Sequence, residues 1–378
     1  MSFWFRRLLI VLALCGPATT QAQTLSVTGP TELVLSHDNM NCGRKERGSG
    51  QDVTDVPVTA FRRKGGSVVV IAGNQNNYFL EGPSVDQARR TSCNSLVEPV
   101  NDPDPSHFTA RRWLFAIFAK SYDFVLGFVH NEYHGSDFFG NECEKAESRA
   151  KCWYGATTLV VSRDGGLTFQ TPPSPDNVLA TLPWRFAPGK LRAGVAGPKV
   201  VLNPHDGMVY VMVNHFDRNR RLRAGECLLR GSGDSFNDWR AWDGQAFSLD
   251  MESPYVITRT SGDCVQLLPF IGFSLKYVPA IDRFVALGVR GFEVVYAFSK
   301  DLISWSAPRV LMETRLWMQW QPGMDPPRSY FSLLDPTSSS INFDTLEKRP
   351  YLYFVQYRVA GDRIVPGRDL YRMPVAIK

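Results

Sequence analysis

His130, Glu132 and His134 occupy alternate positions in the segment His130-Asn131-Glu132-Tyr133-His134-Gly135. Side chains alternate across an extended chain, so a strand here projects all three to one side. A carboxylate flanked by two imidazoles can move protons near neutral pH, and it can ligate a metal. The same trio can also be a hydrogen-bonded polar corner that only stiffens a loop. His-x-Glu-x-His in an extended segment is not a strong zinc signature. No cofactor is therefore expected, with a metal at His130 and His134 as the minor alternative.

The elements that must hold this cluster read as β-strands. Residues 124–129 before it and 157–161 after it are short apolar runs. The second run ends in Ser162-Arg163-Asp164-Gly165-Gly166-Leu167-Thr168-Phe169. The cluster and a tight Asp/Gly turn thus fall at opposite ends of one strand. Helical patterns are scarce along the whole chain. Val, Ile, Phe, Tyr and Trp cluster in short runs punctuated by Gly, Pro, Asn and Asp, which is an all-β signature. Regular recurrence of such runs suits a sandwich, barrel or propeller.

Five units share one plan of inner strand, second strand, loop, third strand, turn and outer strand. They begin near Val53, Trp113, Pro198, Ser274 and Tyr330. Three of the third strands end alike. Asp164, Asp234 and Asp301 each follow a Ser by two residues, and each precedes an aromatic residue, Phe169, Trp239 or Trp305. In such a turn the carboxylate accepts backbone N–H groups; three unrelated turns are the blander reading. A strand in residues 24–35 stands outside the units. It is expected to pair with the last unit, near residues 370–377, and so remove the exposed sheet edges.

Arg6 and Arg7 precede an apolar run over residues 8–14, and Thr20-Gln21-Ala22 fits a cleavage site after Ala22. Residues 1–22 read as a secretory signal peptide, too short to span a bilayer. A lipidated Cys15 is the alternative, but Leu14 is bulkier than the residue expected before it. No other segment has the roughly 18 apolar residues that a span needs. The expectation is a secreted or periplasmic chain, not inserted in a membrane, with one domain over residues 23–378. The net charge of +5 includes the two leader arginines and is too small and dispersed to suggest nucleic acid. Six cysteines remain after cleavage, and an even number in an exported chain suggests disulfides. Six cysteines allow 15 pairings; Cys143–Cys152, Cys227–Cys264 and, by elimination, Cys42–Cys93 are favoured.

Ser162-x-Asp164-x-Gly166-x-Thr168-Phe169 resembles the Asp-box of sialidase-type propellers, with degenerate versions at Ser232 and Ser299. The arginine triad of that group is not readable here. The five units, Tyr330-Phe331-Ser332-Leu333-Leu334-Asp335-Pro336 and Ser299-Lys300-Asp301-Leu302-x-x-Trp305 more closely resemble five-bladed propeller glycoside hydrolases, the group of arabinanases, arabinofuranosidases, xylosidases and levansucrase-type enzymes. The resemblance implies an all-β, five-bladed β-propeller closed by the N-terminal strand. One face would carry the starts of the inner strands and the loops between second and third strands; the other would carry the Asp-box turns. On the first face it places Asp55, Asp104, His130, Glu132, His134, Lys199, Asn214, His215, Arg290, Tyr330 and Asp335.

Glycoside hydrolysis needs two carboxyl groups, one of them a protonated acid. The family pattern implies a base Asp at the start of the first inner strand, matched by Asp55, and a tuning Asp on the second blade, matched by Asp104. The family acid is a Glu on the third blade, where only Glu226 stands, beside Cys227. Glu132 is therefore the expected acid, assisted by His130 and His134. Arg62 would clamp a carboxylate or sugar hydroxyls, or pair structurally with Asp55. Asn131, Lys199, Asn214, Arg290, Tyr330 and Asp335 complete the expected substrate contacts. Trp184, Trp317, Trp320 and Tyr330 could stack on sugar rings or be core. Arg218, Arg220, Arg221 and Arg223 form a loop cluster, either solvated or suited to an anionic glycan. The expected function is hydrolysis of a poly- or oligosaccharide through paired carboxylates. The alternative is a non-catalytic glycan- or protein-binding propeller.

Overall fold

Val68-Val69-Val70-Ile71 is apolar without alternation because both sides of this strand are covered. Val68 and Val70 face one neighbouring sheet, and Val69 and Ile71 face another. The same two-sided burial recurs along the chain and accounts for most of its strands. The computed structural model describes residues 23–40, 42, 52–98, 100–144, 152–217, 222–256 and 264–378. The expected signal peptide and Arg218, Arg220 and Arg221 lie outside them.

The chain opens with β1 (Leu25–Val27) and β2 (Glu32–Leu35). The first unit is a three-stranded antiparallel sheet, β3 (Thr59–Arg62), β4 (Val68–Ile71) and β5 (Phe79–Gly82). The second comprises β6 (Arg112–Ala119), β7 (Val125–His134), β8 (Cys152–Ser162) and β9 (Val178–Ala180). The third comprises β10 (Leu191–Leu202), β11 (Val209–Asp217), β12 (Leu222–Gly231), β13 (Arg240–Trp242) and β14 (Phe247–Leu249). The fourth is β15 (Ile271–Val278), β16 (Arg283–Arg290), β17 (Glu293–Ser299) and β18 (Arg309–Glu313). The fifth is β19 (Arg328–Leu334), β20 (Tyr351–Ala360) and β21 (Arg363–Ile377), joined by β1 and β2. Helix is limited, among the described residues, to one short α-helix, Asn141–Glu144, and a few single turns.

Two features depart from five independent sheets. The second and third units share one nine-stranded sheet, because Leu191–Gly194 of β10 runs parallel to Cys152–Gly155 of β8. The first unit has three strands rather than four among the described residues. The N-terminal pairing follows expectation: Leu25–Val27 lies antiparallel to Val375–Ile377, and β2 pairs with Leu370–Arg372.

Five apolar clusters sit between the units. Phe61 and Val69 of the first meet Leu114 and Val129 of the second. Phe128 and Leu159 of the second meet Val195 and Val211 of the third. Val201 and Met212 meet Phe284 and Val295 of the fourth. Val285 and Leu287 meet Phe331 and Phe354 of the fifth. Leu334 and Val355 of the fifth then meet Ala60 and Val70 of the first. The three cysteine pairs are Cys42–Cys93, Cys143–Cys152 and Cys227–Cys264, as expected. Among the described residues no helix is long and apolar enough to cross a membrane.

Two of the three Ser–Asp turns are built as read. Asp164 Oδ1 accepts the Leu167 and Thr168 N–H groups at 3.1 and 3.0 Å. Asp301 Oδ1 accepts those of Ile303 and Ser304 at 2.9 and 2.6 Å. The third differs: Asp234 faces Lys120 at 3.3 Å, and Asp238 takes the Ser232 N–H at 2.7 Å.

Leu25 is 4% exposed and packs in the cluster between the fourth and fifth units. Leu25→Ala should cost about 2–5 kcal/mol, read as a lower urea midpoint in equilibrium unfolding. An unchanged midpoint would show that β1 contributes nothing to closing the last sheet.

Candidate functional site

One cavity of about 360 Å³ takes its wall from every unit. Asp55 comes from the segment before β3; Trp113, Phe115, His130 and Glu132 come from β6 and β7. Gly197 and Asn214 belong to β10 and β11, and Ile271 to Phe273 open β15. Tyr330, Tyr357 and Arg368 come from the last sheet, and Trp317 from the loop between β18 and β19.

Asp55 is held by three elements. Arg368 of β21 donates to its Oδ1, and Trp113 Nε1 of β6 donates to Oδ2 at 3.2 Å. Tyr330 of β19 bonds it as well. Tyr330 reaches that position from a left-handed backbone, φ 55°, at the irregularity between Ser329 and Ser332. Such a conformation in a bulky residue costs about 1–3 kcal/mol and persists only where the surroundings impose it. Burial, then the charge of Asp55, raises the Tyr330 phenol well above its ordinary value, so it stays protonated. Burial opposes the charge on Arg368, but Asp55 and two phenols outweigh it and hold the guanidinium charged.

Glu132 lies between the two imidazoles, as the alternation of β7 requires. His134 Nε2 is 2.7 Å from its Oε2, and His130 Nε2 is 3.5 Å from its Oε1. Trp153 of β8 bonds it too. That indole lies over Gly155, where a Cβ would come within 2.4 Å of it. Burial pushes the Glu132 carboxyl up, but His134, the charge of His130 and Trp153 outweigh it and bring it down to about 2. Glu132 is therefore ionised at neutral pH, which suits a base or charge stabiliser and not the acid expected from the sequence. His130 is lowered by burial; its Nε2 is buried and has no hydrogen-bond partner. Among the described residues no three His, Cys, Asp or Glu side chains are grouped to hold a metal ion, these three included.

Behind the wall lies a second pair. Lys199 Nζ is 2.6 Å from Glu226 Oε2, and both side chains are almost wholly buried. Glu226 Oε1 accepts the Gly272 N–H at 2.7 Å and faces Asn214 Nδ2 at 3.4 Å; Lys199 also donates to Gly272 O at 3.1 Å. A Cβ at Gly272 would approach Glu226 Cδ to 3.0 Å, so glycine lets the pair grip this stretch of wall. Burial raises the Glu226 carboxyl despite Lys199.

Several expected contacts lie elsewhere. Asp104 is in an exposed loop, bonded to Ser106 and 3.6 Å from His107. Arg62 ends β3 away from Asp55; it donates to Ser338 O at 3.4 Å and lies over Phe343. Asn131 alternates to the side opposite Glu132 and donates to Ala110 O inside the core. Lys199 is spent on Glu226, and Arg290 is exposed beside Glu293 at 3.2 Å. Asp335 is fully buried at the far end of β19, accepting the Thr337 and Glu347 N–H groups. His215 is buried, 3.4 Å from Gln266. His134 touches the cavity only through Glu132. Trp113, Tyr357 and Arg368 were missed. A cation set between apolar alternations near the chain end, as Arg368 is, was the available signal.

No family model matches the chain, and no curated protein does either. Solved structures to which it is similar include an endo-arabinase from Bacteroides thetaiotaomicron, at 10% identity and a TM-score of 0.49 over 92% of this chain and 98% of that one. Another is the catalytic domain of an α-L-arabinofuranosidase from Coprinopsis cinerea, at 10% identity and 0.47 over 92% and 97%. A third is an N-acetylgalactosamine deacetylase from F. plautii, at 12% and 0.45 over 94% and 95%. Identities this low carry no residue roles across.

The lowered carboxyl of Glu132 has a pH consequence. A folded pKa below the unfolded one gives stability that is present above the ordinary carboxylate value, 4.5, and lost as pH falls toward about 2. The stability gap between the unaltered protein and Glu132→Gln should be open at pH 6 and close between pH 4.5 and 2. A gap independent of pH over that range would contradict the ionised assignment.

Proposed function

We propose that this chain is an exported five-bladed β-propeller, closed through β1 and β2, that binds a poly- or oligosaccharide in its central cavity and acts on it as a glycoside hydrolase-like enzyme. The observation that carries the reading is the convergence of all five units on one cavity with two carboxylates, Asp55 and Glu132, among aromatic rings. The cyclic order of the apolar clusters, with the fifth unit packed on the first, supports the ring. Three disulfides support an oxidising destination.

Cleavage of a glycosidic bond passes through an oxocarbenium-like state that ionised carboxylates stabilise. Asp55 serves as base or nucleophile at the anomeric carbon, and Glu132 supplies the second negative charge. Water or the carboxylate forms the new bond to that carbon as the glycosidic C–O bond breaks, and the leaving oxygen takes a proton. Glu226, behind the wall and bonded to Lys199 and Gly272, positions Asn214 and Gly272 of the cavity, and the leaving oxygen takes its proton from water in the cavity.

A second reading, sugar binding without cleavage, is favoured by one observation. Glu226 is wholly buried with both oxygens engaged, while Asp55 and Glu132 are already paired. Hydrolysis predicts that Asp55→Asn and Glu132→Gln each lower the rate on a cleaved glycan by at least about a thousandfold with folding intact. Full activity in either variant removes that residue from the mechanism. Measurable affinity across a glycan panel with no product from the unaltered protein would leave the binding reading.

A further inference from the structure

Large apolar side chains are exposed in the turn after β16 and in the loop between β18 and β19, the loop whose Trp317 borders the central cavity. Phe292 is 52% exposed, Trp317 51% and Met318 66%. Trp317 also lines the cavity, as does the part-exposed Ile271. Trp317 thus joins the cavity wall to the loop that carries Met318.

This loop and the turn after β16 are held in place. Thr314 N–H donates to Phe292 O at 2.8 Å, and Arg328 N–H to Arg315 O at 2.8 Å. The Gln319 side chain ties the loop to itself and to its neighbour: its Oε1 accepts the Leu316 N–H at 3.0 Å, and its Nε2 donates to Gly291 O at 3.2 Å. The Arg315 guanidinium stacks on Phe292 at 4.4 Å from the ring centre, yet that ring remains half exposed. Under the same loop is a cavity of about 270 Å³ whose wall includes Thr314, Arg315, Asp325 and Arg328, a set of hydroxyl, cationic and anionic groups.

A fixed aromatic surface that continues out of a pocket and borders hydrogen-bonding groups matches a sugar ring, which has an apolar C–H face and a rim of hydroxyls. We propose that Trp317, Met318 and Phe292 form a platform for the sugar units next to the one in the cavity, so that the ligand is a chain gripped over at least two or three units. The proposal rests on the reading of the cavity as a sugar site and assigns where its neighbouring units lie.

The test is calorimetric titration of the full chain with arabinose, xylose and galactose and with their linear oligomers of two to five units, comparing the unaltered protein with a Phe292→Ala, Met318→Ala double variant. Neither altered residue lines the cavity, and both are mostly exposed. For the sugar that binds, affinity should rise at least tenfold from monomer to trimer. The double variant should lose most of that rise and keep monomer affinity within twofold. Equal affinity at every length, or a double variant that keeps the full rise, overturns the platform while leaving the cavity reading standing. Binding of no sugar at any length overturns both.

Discussion

The Asp55 carboxylate ties together three parts of the chain that are remote in sequence. Arg368 from the last strand, Trp113 from the second unit and Tyr330 from β19 all donate to it. A half-buried carboxylate that has given up part of its water is favoured only where donors replace that water. Here the donors come from segments that meet only after the first and last units have packed. Local geometry at the site therefore depends on the packing of the first and last units, the latter completed by β1 and β2.

Strand alternation divides labour in two directions. Across each strand, successive residues serve two neighbours, as Val285 and Leu287 face the fifth unit while Phe284 and Ala286 face the third. Along β7 and β8, one end holds the polar cluster toward the cavity and the other holds the Asp164 turn. Glu132 lies opposite Gly155 on β8, and Ser162 at the head of the Asp164 turn is seven residues farther, roughly 23 Å at strand rise. The cluster and the turn are thus separated by the whole depth of the sheet.

That division decided what could be read from the sequence. Strands and their apolar runs were legible because they rest on local composition and alternation; the early strand's partner followed from the need to cover sheet edges, and the cysteine pairs from an even count and elimination. His130 and Glu132 were also found by alternation, whereas Asp55, Asn214 and Tyr330 came from the resemblance to propeller hydrolases. Asp335 and Arg62 were misplaced because their strands run from the cavity to the far end, and a few positions along a strand exchange one end for the other. Asn131 failed by one residue of alternation. Asp104 was drawn from an Asp-Pro loop whose carboxylates bond their own backbone. The ionised state of Glu132, against the acid role expected of it, was unreadable because it depends on Trp153 and the two imidazoles meeting one carboxylate in three dimensions. The fusion of the second and third units was equally hidden, since parallel pairing of β8 with β10 leaves no local mark.

The most direct measurement of the proposed centre is a crystal structure of the protein with its tightest-binding oligosaccharide. The account predicts a sugar ring in contact with Asp55 and Glu132, flanked by Trp317. A sugar seated instead on the face of the Asp164 and Asp301 turns, with the central cavity left to solvent, would contradict it.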